Sequence, residues 1–372
     1  MKPLLAVVAG ARPNFMKVAP VLRAIEELQP GFAPVLVHTG QHYSPELSDV
    51  FFTQLGIRQP DVHLDVGSGS HGAQTARVLE AFEGLLLKAS PGIAAVMVVG
   101  DVNSTLAAAL AAAKLRVRVI HLEAGLRSFD RRMPEEINRL ATDAISDLLL
   151  VSEPEGTINL RNEGVAESRI RYVGNVMIDT AAHHLAEAKS RPVPVAGDYA
   201  LVTLHRPSNV DEPESLSAIA DFLREAAVKV PVVFPVHPRT RTRLEQFGLL
   251  SALNSASVTL LPPQGYLENL ALMCRARLVV TDSGGIQEET SWLGIPCLTV
   301  RENTERPSTL SLGTNTLVGT DFVRANALID DILQNRYKKG SAIPGWDGKA
   351  AYRVVREVDE FLAKERCSTE PS

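Results

Sequence analysis

Cysteine is scarce in this 372-residue chain, occurring three times. Cys274, Cys297 and Cys367 form neither a CxxC pair nor a zinc spacing, which argues against a disulfide framework or a cysteine-bound metal and for free thiols in a reducing compartment. Long apolar runs are also missing. The most apolar later stretch, Leu106 to Leu115, is too short and too rich in alanine to span a bilayer. The opening MKPLLAVVAGARP runs directly into a first strand rather than forming a leader. Nor is there a basic excess: the net charge is −5, whereas a nucleic-acid binder shows a basic face. The loop after the first strand lacks the GxGxxG dinucleotide fingerprint. These absences predict a cytoplasmic protein with neither nucleic acid nor membrane as a partner.

What the chain has in plenty is alternation. Hydrophobic residues make up 45 % and charged residues 22 %, as in a folded globular protein. A length of 372 residues exceeds a typical single core and predicts two domains. Short apolar runs recur, each followed by a polar or glycine-rich cluster and then a helical pattern. In the first half they are Leu4 to Ala9, Pro34 to His38, Ala95 to Val99, Val117 to Leu122, Leu148 to Val151 and Arg171 to Val173. In the second half they are Tyr199 to Leu204, Val232 to Val236, Val258 to Leu261, Leu278 to Val280, Ile295 to Val300 and Asn315 to Val318. Helix after strand implies parallel sheets with right-handed crossovers. The fold class is therefore α/β, with two Rossmann-like domains of mostly parallel sheets, 1–190 and 198–345, facing across a cleft. Proline-rich Arg191 to Val195 reads as the linker, and a helix over 348–366 is expected to pack back on the first domain.

The densest signal lies between Leu278 and Pro307. Asp282-Ser283-Gly284-Gly285 separates a buried strand from a helix expected from about Ile286. Bare N–H groups and the positive end of the helix dipole there suit an anion such as phosphate, and the two glycines let it approach the backbone. Glu288 and Glu289 follow, where a carboxylate can accept hydrogen bonds from a vicinal diol. A second polar cluster, Arg301 to Pro307, closes the next strand. Ser283 alone reads equally as a helix cap; the two clusters together suggest a nucleotide-diphosphate pocket.

Similar clusters follow the strands of the first half: Gly10 to Asn14 with Lys17, Thr39-Gly40-Gln41-His42, Gly100-Asp101, and His121 to Gly125, where Glu123 occupies the position equivalent to Asp101. Pro134 opens a helix. Its Ile137, Leu140, Ala141 and Ala144 form an apolar stripe, with Glu135, Asn138, Arg139 and Thr142 on the other side. Taken singly, Asp101 reads as a helix cap, Lys17 as a solvated lysine and Glu135–Arg139 as a surface pair.

In chain order, Gly10-Ala11-Arg12-Pro13 with Lys17, Gly100-Asp101, His121 to Arg127, Pro134-Glu135-Glu136 with Asn138-Arg139, Val173-Gly174-Asn175, His205-Arg206, Val236-His237-Pro238, Thr281 to Glu289 and Thr304 to Pro307 make one constellation. On these motifs, from Ala6 to Asp321, the chain resembles the non-hydrolysing UDP-N-acetylglucosamine 2-epimerases, which have the GT-B architecture of two Rossmann-like domains. The resemblance implies inversion at C2 of a UDP-activated N-acetylhexosamine, UDP-GlcNAc to UDP-ManNAc and back, feeding surface-polysaccharide synthesis. UDP is eliminated to a bound 2-acetamidoglucal and re-added, with no nicotinamide or metal cofactor. A homodimer is implied too.

Matched by position, Asp101, Glu123 and Glu135 are the catalytic carboxylates and His205 the active-site histidine. Arg12, Lys17, Arg139, His237, Ser283, Gly284, Gly285, Glu289 and Arg306 contact the UDP-sugar or shape the cleft, and Gln264 contacts uracil. Gln41 and His42 match a regulatory substrate site. The chain departs from allosteric members of the family at Tyr43-Ser44, and Asn269 stands where an aromatic ring often packs on uracil. Relatives acting on UDP-2,3-diacetamido-glucuronic acid share the Gln-His-Tyr pattern, so that sugar is one alternative. A hydrolysing 2-epimerase, a GT-B glycosyltransferase and a UDP-sugar-binding module are the others.

Overall fold

The computed structural model describes residues 2–10, 12–40, 54–89, 92–254 and 257–369. The chain divides into two compact units, Met1–Thr180 together with Pro344–Ser372, and Ala181–Ile343. The division falls inside the helix Val176–Ser190, ahead of the stretch expected as linker.

Among the described residues of the first unit, seven strands form one parallel sheet: β1 (Leu4–Ala9), β2 (Ala33–His38), β3 (Val62–His63), β4 (Ile93–Val99), β5 (Arg118–Ala124), β6 (Leu148–Val151) and β7 (Ile170–Tyr172). Their order is β3-β2-β1-β4-β5-β6-β7. The central strands are apolar on both faces, as expected where helices cover both sides. Ala6, Val8, Val96 and Val98 pack there with Phe82, Ala108 and Ala112. The helix Ala350–Thr369 belongs to this unit. Asp179 receives the N–H groups of Ala350 (3.1 Å) and Ala351 (2.6 Å) at its start, and burial pushes that carboxyl up to about 6 despite both bonds.

Six strands of the second unit, among the described residues, form another parallel sheet: β8 (Ala200–Thr203), β9 (Val232–Pro235), β10 (Val258–Leu261), β11 (Leu278–Thr281), β12 (Cys297–Thr299) and β13 (Asn315–Leu317), in the order β10-β9-β8-β11-β12-β13. One face packs Val202, Phe234, Val280 and Leu298 against Phe222, Leu223 and Ile329. The Asp321 side chain accepts the Arg324 N–H at 2.9 Å and caps the helix Phe322–Leu333. Asp321→Ala therefore lowers unfolding stability by about 1 kcal/mol in urea titration; an unchanged midpoint would remove the cap from this account.

Two helices begin earlier than the sequence pattern indicates, at Arg12 where the pattern starts at Phe15 and at Gly284 where it starts at about Ile286. The helices Pro154–Asn162 and Pro238–Gln246 were not anticipated, although each places proline in its first turn. A helix expected over Pro45 to Leu55 lies almost wholly outside the described residues. Among the described residues no helix is long and apolar enough to cross a membrane.

Candidate active site

Each sheet reverses its strand order once, and open α/β sheets bind ligands outside the carboxyl ends of the strands at that reversal. In the first unit the reversal lies between β1 and β4, with β5 beside β4. Lys17, Gly100, Asp101 and Glu123 therefore belong to adjacent chain segments at one sheet edge. Lys17 and Glu123 form a buried ion pair. Gly100 has φ +68°, and a Cβ there would come within 3.1 Å of both Lys17 Nζ and Glu123 Oε2. The positive φ favours glycine here, and a side chain would press on both members of the pair. Asn14, in the first turn of the helix Arg12–Leu28, fastens that turn to β4 by donating to the Val99 carbonyl at 2.9 Å. Glu123 has φ +74°, at the point where the pairing of β5 with β6 slips between Leu122 and Ala124. This is a bulge, a device that re-aims a side chain at a strand end.

Asp101 is half-buried and pairs with Arg139, while Asn138 Nδ2 donates to the Asp101 carbonyl at 2.9 Å. Arg139, only 2 % exposed, also meets Glu136 Oε2 at 2.6 Å. Glu136 accepts the N–H groups of Ser128 (3.0 Å) and Phe129 (2.9 Å). Burial would raise its carboxyl, but those bonds and Arg139 hold it below the usual range.

The helix Pro134–Ile145 thus corrects the amphipathic reading. It buries Glu136, Asn138, Arg139, Thr142 and Asp143, whereas Ile137 of the apolar stripe is 43 % exposed. The buried face is polar because its charges are partnered by other segments, which the local pattern does not show. Glu135 is half-exposed in the first turn. Its neighbour Glu136 is the carboxylate that grips Arg139; the signal available in the sequence was its i, i+3 spacing.

In the second unit the reversal lies between β8 and β11. Asp282, fully buried after β11, accepts the N–H groups of His205 (2.9 Å) and Arg206 (2.8 Å) and the Asn209 amide (3.0 Å). Its other oxygen lies 3.1 Å from His205 Nδ1. Burial would raise this carboxyl, but His205 and the other donors hold it low. The His237 ring lies 5.5 Å from that of His205, and its Nδ1 accepts the Arg239 N–H at 3.2 Å.

Ser283 stands at the cap position of the helix Gly284–Leu293, with no capping bond from its side chain. A Cβ on Gly284 would lie 2.7 Å from an Arg306 guanidinium nitrogen, so the guanidinium rests against the helix N-terminus. Arg306 is oriented by Glu288 Oε1 (2.7 Å) and by Glu305, which also receives Arg301 at 2.7 Å. An anion at this terminus meets the helix dipole and a fixed guanidinium together.

Glu289 accepts the Tyr266 hydroxyl at 2.9 Å. Burial, with Glu288 adding repulsion, pushes its carboxyl up to about 8. Gln264 donates to the Pro262 carbonyl at 2.8 Å, and its own carbonyl accepts from Asn269 at 3.2 Å. Gly285 lies in the first turn of the helix Gly284–Leu293, and Arg12 begins the helix Arg12–Leu28. Gln41 and His42 lie outside the described residues. The roles of Tyr266, Asp282 and Glu305 in orienting these groups were not anticipated from the sequence.

The family model for UDP-N-acetylglucosamine 2-epimerase matches residues 24–359. A UDP-N-acetylglucosamine 2-epimerase of Methanocaldococcus jannaschii is 40 % identical over 363 residues, covering 95 % of this chain and 98 % of that protein. A UDP-2,3-diacetamido-2,3-dideoxy-D-glucuronate 2-epimerase of Pseudomonas aeruginosa is 45 % identical over 366 residues, covering 96 % and 98 %. The crystal structure of the M. jannaschii UDP-GlcNAc 2-epimerase in complex with UDP-GlcNAc and UDP aligns with a TM-score of 0.88 over 96 % of this chain and 99 % of that one, at 40 % identity.

Proposed function

Because this chain belongs to the UDP-N-acetylglucosamine 2-epimerase family, we propose that it inverts C2 of UDP-N-acetylglucosamine to give UDP-N-acetylmannosamine and runs the reverse reaction. The observation that carries this reading is the pair of carboxylates, Asp101 and Glu123, at the ends of neighbouring strands, each with a cationic partner. One carboxylate takes the C2 proton as the C1–O bond breaks and its electron pair leaves with UDP. The C2–H electrons become the double bond of a 2-acetamidoglucal. UDP then re-adds at C1 while a proton reaches C2 from the opposite face, so nothing is oxidised or reduced overall.

Removal on one face and return on the other employ two acid/base groups, each worth about 10²–10⁴ in rate; Glu135, in the first turn beside Glu136, is the third carboxylate of this set. In the second unit the Gly284–Leu293 helix terminus, with Ser283, Gly284, Gly285 and Arg306, stabilises the leaving diphosphate. Glu289 takes the ribose diol, Gln264 the uracil, and His205 with His237 the sugar-diphosphate end. Lys17 and Arg139, as their ion-pair partners, hold Glu123 and Asp101 in direction. The product enters surface-polysaccharide synthesis.

A second reading, epimerisation of UDP-2,3-diacetamido-glucuronic acid, is favoured by the 45 % identity to the P. aeruginosa relative. The deciding experiment is proton NMR of the purified protein with UDP-GlcNAc in D₂O. The expected result is UDP-ManNAc carrying deuterium at C2. Conversion of the diacetamido-glucuronate alone would establish the second reading. Free ManNAc with UDP would place the protein among the hydrolysing enzymes. Inertness towards both sugars would leave a glycosyltransferase or a binding module.

A further inference from the structure

Behind the carboxylates lies a buried ionic chain to which the proposed reaction assigns no part. His121, Asp143 and Arg127 are at most 2 % exposed. His121 Nδ1 lies 2.6 Å from Asp143 Oδ1, and its Nε2 lies 2.8 Å from the Gly100 carbonyl. Asp143 Oδ2 receives the Gly125 N–H at 3.0 Å and Arg127 at 2.7 Å. Arg127 then forks onto Glu163 at 2.7 and 2.6 Å.

The topology of these bonds is specific. Asp143 grips β5 on both sides of Glu123, through His121 before it and Gly125 after it. Glu123 itself has φ +74°, a conformation costing a non-glycine residue about 1–2 kcal/mol, so something must hold it there. Through the same imidazole, the chain also fixes the Gly100 carbonyl immediately before Asp101. One buried unit therefore sets the backbone of both carboxylates.

Stability alone does not account for it. A buried ionic group of this kind typically adds little net stability over a well-packed apolar replacement, whereas acid/base chemistry is sensitive to displacements of about 1 Å.

We propose that Asp143 and His121 are positioning residues: they clamp the Glu123 bulge and the Gly100-Asp101 turn in the relative placement that proton transfer at C2 requires. This rests on the epimerase reading above. The test compares wild-type protein with Asp143→Asn, which keeps the shape of the side chain, and His121→Gln. For each we would measure kcat and KM for the UDP-sugar, UDP affinity by calorimetry, and deuterium entry at C2.

The expected result is a loss of about 10- to 100-fold in kcat and in deuterium entry, with KM and UDP affinity within about threefold. A folded variant with kcat within about threefold of wild type overturns the proposal. Parallel loss of kcat, KM and UDP affinity overturns it as well, as does failure of both variants to fold, because the pair would then serve the fold. A wild-type protein without turnover brings down the epimerase reading and the clamp with it; active wild type with unaffected variants brings down the clamp alone.

Discussion

Glu123→Gln is expected to lower kcat by about 10²- to 10⁴-fold while leaving UDP affinity unchanged. The amide keeps the volume of the carboxylate and can still accept a hydrogen bond, but it cannot take up a proton from C2. Nucleotide binding is expected to survive because the groups proposed to hold UDP belong to the second unit. A stability cost comes with it. Lys17 pairs with Glu123 in a buried site, and removing one partner of such a pair leaves the other charge uncompensated, at about 3–5 kcal/mol. The activity loss must therefore be read on folded protein, below the lowered melting temperature. Single-turnover measurement in D₂O separates the two effects, since a destabilised but competent enzyme still exchanges C2 at its native rate per folded molecule. A folded variant keeping kcat within tenfold of wild type would take Glu123 out of the proton-transfer step.

Much of this architecture was legible in the sequence, for a physical reason. Strands buried on both faces of a parallel sheet read as continuous apolar runs, and most of β1 to β13 lie on such runs. β3 escaped because it is two residues long and pairs on one side only, with β2. The order of the strands was not legible. Runs of similar composition do not say which neighbours they take, so the reversals at β1/β4 and β8/β11, where the polar clusters gather, emerge only from the pairing.

The candidate site was legible as a set of positions and much less as a set of partnerships. Asp101 and Glu123 stand out because they take equivalent positions after successive apolar runs, but the ion pairs that orient them join residues far apart in the chain. Asp101 meets Arg139, and Lys17 meets Glu123. The helix Pro134–Ile145 shows the consequence most clearly. Judged by its own sequence it should turn Ile137 inward; it turns Arg139 inward instead, because Asp101 and Glu136 wait there. In the second unit Glu289 shows the same limit, since its surroundings depend on Tyr266 from a different helix.

That environment of Glu289 carries the other large expected effect. In the free protein its carboxyl is pushed from an ordinary 4.5 up to about 8, chiefly by burial, with Glu288 adding to the rise and the Tyr266 hydroxyl offsetting part of it. At pH 7 the group is therefore mostly protonated. A ribose diol donates hydrogen bonds and is best accepted by the carboxylate, so binding through the proposed Glu289 contact is expected to release a proton. Affinity for the UDP-sugar then rises with pH, by up to about tenfold per unit, and levels off above about pH 8.

Folding stability moves the other way. A carboxyl raised in the folded state contributes fully below its unfolded value of 4.5, and that contribution is lost as pH climbs to about 8. Calorimetry from pH 6 to 9 in buffers of different ionisation enthalpy counts the released proton directly. UDP-GlcNAc is the better ligand, because the terminal phosphate of UDP itself titrates near pH 6, and the Glu123→Gln background slows conversion during the titration by the same factor of about 10² to 10⁴. Adding Glu289→Gln should abolish both the slope and the proton release, and should make stability less dependent on pH between 4.5 and 8. If affinity stays flat across that range, or the slope survives in the doubly substituted protein, the ribose contact belongs to another residue and the buried carboxyl serves only the packing around Tyr266.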